Sequence, residues 1–298
     1  MIKKFFMAVI AIMMTVSVSA QFYIYLSNGE VLQADSISTV APTPGMLSGE
    51  FSVSDTKKVH FSKGNLQATY DGSSWTWSFA TNQWDYIGNS AANNAINGNG
   101  TVSTNGIVDL FGWSTASTYY GINNSKNNSD YSGEFVEWCN NPISNGGNKA
   151  NMWHTLKAEE WYYLVHTRTD ASTKYGAAKV NGKTGIVLLP DKWTLPSDCG
   201  FTAGMTSAST WYDWSLVAST NIYEGDAWTA MEKNGAVFLP AAGTRGGTYV
   251  SNDGWRGYYW SATPFGTQDS YFLYIDPGRI NPQDGQPRIY GFSVRLVR

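Results

Sequence analysis

The side chains best suited to recognition chemistry gather near the C-terminal end: Tyr249, Asn252, Trp255, Arg256, Gln268, Asp269, Arg279, Asn281 and Asp284. They combine aromatic faces with planar hydrogen-bonding groups. Tyrosine and tryptophan supply contact area at little entropic cost, while Asn, Asp, Gln and Arg fix the orientation of a partner. That mixture points to a ligand-binding surface, with a glycan or a protein as the partner. The same residues also fit ordinary solvated turns. Their value depends on whether a rigid scaffold presents them together.

Bond-breaking chemistry has weaker support. The chain contains no Gly-x-Ser-x-Gly, His-Glu-x-x-His or phosphate-binding loop. Glu159, Glu160 and Asp109 could form a glycosidase pair, but nothing selects them over solvated acids and helix caps. An enzyme is therefore the third reading. It stands behind ligand recognition and behind a structural or cell-envelope interaction protein without a small ligand.

His60, His154 and His166 have no metal-ligand spacing with the cysteines, so no zinc site is expected. Cys139 and Cys199 could pair as a disulfide in an oxidising compartment, or stand as two separate buried thiols. Sequons occur at Asn99, Asn123 and Asn127, within Asn-rich loops where chance matches are common.

Charge narrows the partners. Charged residues are only 14% of the chain, against 15% aromatic, and the formal charge is −3. No basic stripe exists for nucleic acid, and nothing in the charge pattern favours a membrane surface.

The N-terminus has Lys3 and Lys4, an apolar run over 5–18, and small residues at Ser19-Ala20. That is the form of a secretory signal cleaved before Gln21. The apolar run is shorter than the ~20 residues a membrane-crossing helix requires, and no later segment is apolar enough to span. The chain is therefore expected to be exported to the periplasm, the cell surface or the medium. Three parts follow: a signal peptide over 1–20, a short hairpin and linker over 21–48, and one large domain over 49–298.

Several elements could position the recognition residues. Asn28-Gly29 predicts a hairpin turn, and residues 41–45 a linker. Trp75, Trp77 and Phe79 share one face of a strand returning from the Asp71-Gly72-Ser73-Ser74 turn. Trp75, Trp77 and Trp84 could form a sugar-stacking platform, but alternate positions of a hairpin more often face a core. Residues 107–113 form an apolar island. A helix is predicted after Thr155, capped by it, with Ala158, Trp161, Tyr162 and Val165 on its apolar stripe. Strands follow over 177–180 and 185–189 around Asn181-Gly182-Lys183. A second helix over 225–233 ends at Asn234-Gly235, before a buried strand over 236–239. Further strands are predicted over 257–263, 271–275 and 289–297. In the last, Phe292, Val294 and Leu296 face one way and Ser293 and Arg295 the other. Loops are expected over 243–256, 264–270 and 276–288.

Trp193-Thr-Leu-Pro196, the run from Gly257 to Thr263, Tyr271-Phe-Leu-Tyr274 and the run from Gly291 to Arg298 resemble the Fibrobacter-type major paralogous domain family. Trp153-His-Thr-Leu156 and Glu160-Trp161 are similar to its helix-opening segment. The resemblance spans roughly 59–298, and Ala262 stands where the family commonly has Ser. It implies an α+β, C-type-lectin-like fold related to the formylglycine-generating enzymes, with small mixed sheets, two helices and long loops. Because that fold often uses calcium, the resemblance also makes calcium a candidate at Asn281-Pro282-Gln283-Asp284, although the residue order departs from the usual lectin calcium loop and the six or more oxygens required do not assemble there. The formylglycine-generating enzymes use a cysteine pair near the end of the chain. The last cysteine here is Cys199, so that chemistry is not implied. Some proteins of this fold are targets of diversity-generating retroelements, which would make residues 243–298 a hypervariable display surface.

Overall fold

The computed structural model describes residues 22–25, 31–34, 43–88, 106–115, 119–207 and 212–298. The signal segment, the Asn28-Gly29 turn and the Asn99 sequon lie outside the described residues. The chain divides into two compact units, Met1–Pro42 and Thr43–Arg298. In the first, β1 (Phe22–Tyr25) pairs antiparallel with β2 (Val31–Ala34), Phe22 opposite Ala34 and Tyr25 opposite Val31.

The larger unit is mixed α+β, built of small, mostly antiparallel sheets with two α-helices among the described residues. It starts at Thr43 because the strand-like contacts start early. Met46 bridges Ser62, the Leu47 amide donates to the Phe61 carbonyl at 2.9 Å, and Leu47 is buried.

β3 (Phe51–Ser52) pairs with β4 (Lys58–Val59), and their alternate apolar residues Phe51, Val53, Val59 and Phe61 enter the core. β5 (Leu66–Tyr70) pairs with β6 (Trp75–Phe79) and with β7 (Gly106–Val108). Asp71 closes the β5–β6 turn by accepting from the Ser73 and Ser74 amides at 2.8 and 2.9 Å. Trp77 and Phe79 are buried and Trp75 half-buried, so this hairpin face is core rather than a sugar platform.

The first helix differs from the expectation. Thr155 lies in β8 (His154–Thr155), where its amide and hydroxyl donate to Glu137. α1 (Ala158–Tyr162) begins after Lys157, whose amide donates to Glu160 Oε2 at 2.8 Å, and the Ala158 amide donates to Thr263 Oγ1 at 3.0 Å. A π-helical turn over Tyr163–Thr167 then shifts the helical phase. Trp161, Leu164 and Val165 are buried, while Tyr162 is exposed.

β9 (Tyr175–Val180) and β10 (Lys183–Leu188) form a tight hairpin. Asn181 and Gly182 both have positive φ, 45° and 74°, as a two-residue turn that matches strand twist demands. β11 (Ile222–Tyr223) runs parallel to β9 on one side of this sheet. α2 (Gly225–Lys233) buries Trp228 and Met231 and ends at Asn234 and Gly235, the latter at φ 93°. The fully buried β12 (Val237–Pro240) pairs with β10.

β13 (Thr244–Gly246), β14 (Tyr249–Ser251) and β18 (Tyr290–Gly291) make one three-stranded sheet. β15 (Gly257–Phe265), β16 (Asp269–Asp276) and β17 (Arg279–Pro287) make another, with β16 central. β19 (Leu296–Val297) pairs with β8. β15 and β16 are apolar on both faces. Tyr259, Leu273 and Ile275 enter one core cluster, and Tyr258, Trp260, Phe272 and Tyr274 enter another with Phe292, Val294 and Leu296. That explains their unbroken apolar runs, because alternation is lost where both faces are covered.

Several expectations for this region are corrected: β13 and β14 lie within 243–256, expected as a loop, and the strand expected over 289–297 is only the two short strands β18 and β19. Residues 279–287 are a strand paired along β16, not a loop. Pro282 is tolerated because β17 is an edge strand, and a bulge between Phe272 and Tyr274 absorbs the irregularity. Ser293 and Arg295 are buried like their neighbours. The Arg295 guanidinium donates to the Phe238 carbonyl inside the molecule.

Candidate functional site

The register of β15, β16 and β17 builds a pocket. Tyr258 is directly opposite Tyr274, and Phe272 directly opposite Asp284. Their face of the sheet opens beside β17 into a cavity of about 210 Å³ lined by Arg256, Tyr258, Phe272, Tyr274, Arg279, Asp284 and Gln286. The Tyr258 and Tyr274 rings meet edge to face at 5.4 Å, and Tyr258 is backed by Phe292 at 4.8 Å. Phe292 also packs against Trp260 and Phe272, at 4.3 and 4.8 Å.

Both pocket arginines lie over tyrosine rings. Arg279 lies over the Tyr274 ring at 4.6 Å, and Arg256 over the Tyr212 ring at 4.9 Å. Arg279 approaches Asp284 at 3.8 Å and the buried Asp276 at 3.9 Å, close enough for attraction but beyond a hydrogen bond. Arg256 donates to the Tyr212 hydroxyl at 3.2 Å. Burial opposes the charge on Arg256, but its contacts with the Tyr258, Tyr274 and Tyr212 hydroxyls hold its pKa above the ordinary value. Burial pushes the Tyr258 and Tyr274 phenols upward, so both stay protonated donors.

The loop before β15 is rigidly set. Asn252 takes the left-handed conformation, φ 62°, and its carbonyl accepts from both the Trp255 and Arg256 amides at 2.9 Å. Its side-chain amide reaches the Tyr258 hydroxyl at 3.5 Å. Trp255 is 46% exposed and meets Tyr212 edge to face at 5.8 Å. Asn252, Trp255, Arg256, Arg279 and Asp284 therefore belong to one neighbourhood.

The other recognition candidates do not join them. Gln268 and Asp269 sit at the β15–β16 turn, the opposite end of strands roughly 25–30 Å long at ~3.3 Å per residue. There Gln268 accepts from Asn128 at 3.0 Å, and the Asp269 carbonyl accepts from Arg288 at 3.1 Å. Tyr249, 65% exposed, stands at the β13–β14 turn. Asn281 lies within β17 at the irregularity in its pairing and accepts from the Gln283 amide at 3.2 Å. The segment weighed for calcium, 281–284, is strand rather than loop, and Asp284 turns to Arg279. Among the described residues no group of three or more His, Cys, Asp or Glu is placed to hold a metal.

Known protein families, curated proteins and solved structures offer no match to this chain. Its site must therefore be judged on its own geometry.

A larger cavity of about 370 Å³ lies at the β15–β16 turn, lined by Trp113, Glu134, Thr267 and Arg288 among others. Its cation is committed. Arg288 stacks over Trp113 at 4.1 Å and donates to the Gly133, Gly266 and Asp269 carbonyls and to Ser270 Oγ. It holds the turn in place. A second charged group joins Lys57 to Glu160 at 2.6 Å and to His154 Nε2 at 3.1 Å, beside Glu137. Glu160 also holds the helix start, so this cluster clamps β8 and α1. Glu159 is exposed beside Lys157, and Asp109 accepts from the Ile87 amide at 2.7 Å. The acids weighed as a glycosidase pair thus serve separate partners.

Cys139 and Cys199 are free thiols, so the disulfide expected as one alternative is not formed. Cys139 is buried among Trp138, Trp153 and their neighbours, while Cys199 packs against the different cluster around Trp228.

Sequence reasoning missed Tyr212, Tyr258, Tyr274 and Gln286. The two strand tyrosines looked like core, and only their cross-strand register brings their hydroxyls to one pocket. Gln286 shares the face of Asp284 by period-two spacing, a signal usable only once 279–287 is known to be a strand.

Proposed function

We propose that this is an exported ligand-recognition protein that binds a glycan or a protein outside the cytoplasm and performs no catalysis. The reading extends to a domain of C-type-lectin-like architecture. One observation carries it: two guanidiniums lying over tyrosine rings, a carboxylate, an amide and two tyrosines converge on one pocket beside strands β15 and β16, which are buried on both faces. Pre-set polar groups on a stiff support are what recognition requires, because little order must be created on binding. The convergence covers part of the C-terminal segment only, and the β15–β16 turn lies outside it. The hypervariable-display reading is correspondingly narrowed to residues around 252–258 and 274–286.

A glycan array, followed by titration of the best members, tests this. Arg256→Ala should weaken binding at least tenfold, and Gln268→Ala should leave it unchanged. Silence across the array and against extracellular proteins, or the reverse order of the two variants, would reject the reading. Stable self-assembly in that silence would favour the structural role.

A further inference from the structure

We propose that the ligand of this pocket is a carboxylate-bearing sugar, a uronic acid unit of a glycan, and that Arg279 takes its carboxylate with Arg256 alongside. This deepens the recognition reading and rests on it. The chain's other arginines show why Arg279 stands apart. Arg168, Arg245, Arg288 and Arg295 are buried and donate to backbone carbonyls inside the molecule. Arg298 donates to Thr43 Oγ1, and Arg256 to Tyr212. The Arg279 guanidinium makes no hydrogen bond among the described residues, although it lies over the Tyr274 ring with Asp276 and Asp284 close by.

A guanidinium stacked on a ring keeps its in-plane N–H groups free at the rim. That fork matches a planar carboxylate, giving two parallel charge-assisted hydrogen bonds. The neighbouring carboxylates, at 3.8 and 3.9 Å, hold the side chain in place without consuming those donors. Arg256 faces the same cavity.

The remaining lining suits a sugar rather than a bare anion. Gln286 and Asp284 offer donors and acceptors for ring hydroxyls, and the edges of Tyr258 and Tyr274 bound the cavity behind them. Trp255, exposed next to Tyr212, offers a flat face to an adjoining unit.

The test uses oligosaccharides of galacturonic and glucuronic acid, their methyl esters, the neutral parent sugars and an acidic peptide, titrated calorimetrically at two salt concentrations. The methyl ester preserves shape and removes the charge. A uronate should bind at least tenfold more tightly than its ester and weaken as salt rises. Arg279→Gln should bring the acid-to-ester affinity ratio close to one, and Arg279→Lys should restore only part of it. Arg279 is largely exposed and next to a turn, so these variants should fold. Circular dichroism checks that. Equal binding of acid and ester overturns the carboxylate assignment and leaves glycan recognition standing. Binding of the peptide alone overturns the sugar assignment. Failure of every probe defeats both this inference and the glycan reading beneath it.

Discussion

Phe292 is the ring on which the pocket leans, and its removal has a calculable cost. It is 1% exposed, with ring centroids of Trp260, Tyr258 and Phe272 at 4.3, 4.8 and 4.8 Å. Truncating a buried Phe to Ala costs about 3–5 kcal/mol, because the removed atoms leave a cavity that closes only in part. Each favourable aromatic pair adds about 0.5–1.5 kcal/mol beyond area. Three such contacts place Phe292→Ala at the upper end, about 5 kcal/mol. For a unit of this size each kcal/mol shifts Tm by about 2–4 °C, so the variant should melt roughly 10–20 °C lower. Urea unfolding followed by tryptophan fluorescence measures the free energy directly. Ligand affinity should fall as well, since Tyr258 loses the ring behind it. A loss below about 2 kcal/mol would refute the packing reasoning, and with it the idea that the pocket wall is stiffened from behind.

Gly121 has φ 71°, and an added Cβ would lie 1.8 Å from the Gly112 carbonyl oxygen, so Gly121→Ala should cost more than about 2 kcal/mol in the same unfolding assay. Burial raises the Glu137 carboxyl above its ordinary 4.5 despite the hydrogen bonds from Thr155. The folded chain therefore takes up that proton before the unfolded chain does, and stability falls as pH rises from 4.5 through the folded value. Glu137→Gln should flatten that part of a stability–pH profile. Burial pushes the Cys139 thiol up to about 11, so a thiol reagent should label Cys199 in the native protein and reach Cys139 only on unfolding. Reductant should leave Tm unchanged.

The parts of the fold that were legible in the sequence are those set by local chemistry. Asn181-Gly182 and Asn234-Gly235 mark their turns because few residues accept positive φ. Trp77 and Phe79 point inward because a half-buried strand alternates. What escaped was set by remote partners. Residues 279–287 carry Asn, Pro, Asp and Gly, a loop composition by any local measure, and become a strand through pairing with β16. The start of α1 depends on Thr263, far along the chain. The burial of Arg295 depends on a carbonyl of β12. The site divides in the same way. Arg256, Arg279 and Asp284 stand out by type, whereas the separation of Gln268 and Asp269 from them follows from strand length. The tyrosines that complete the pocket are visible only through register.

The most direct measurement is an NMR titration of the arginine Nε–H resonances with a uronic acid oligosaccharide. The Arg256 and Arg279 signals should move together and saturate, while those of Arg288 and Arg245, whose Nε–H groups donate to backbone carbonyls, and that of the fully buried Arg295 stay still. Movement confined to Arg288 and the amides of 266–269, with Arg256 and Arg279 unmoved, would place the ligand at the wrong end of the sheet and contradict the account.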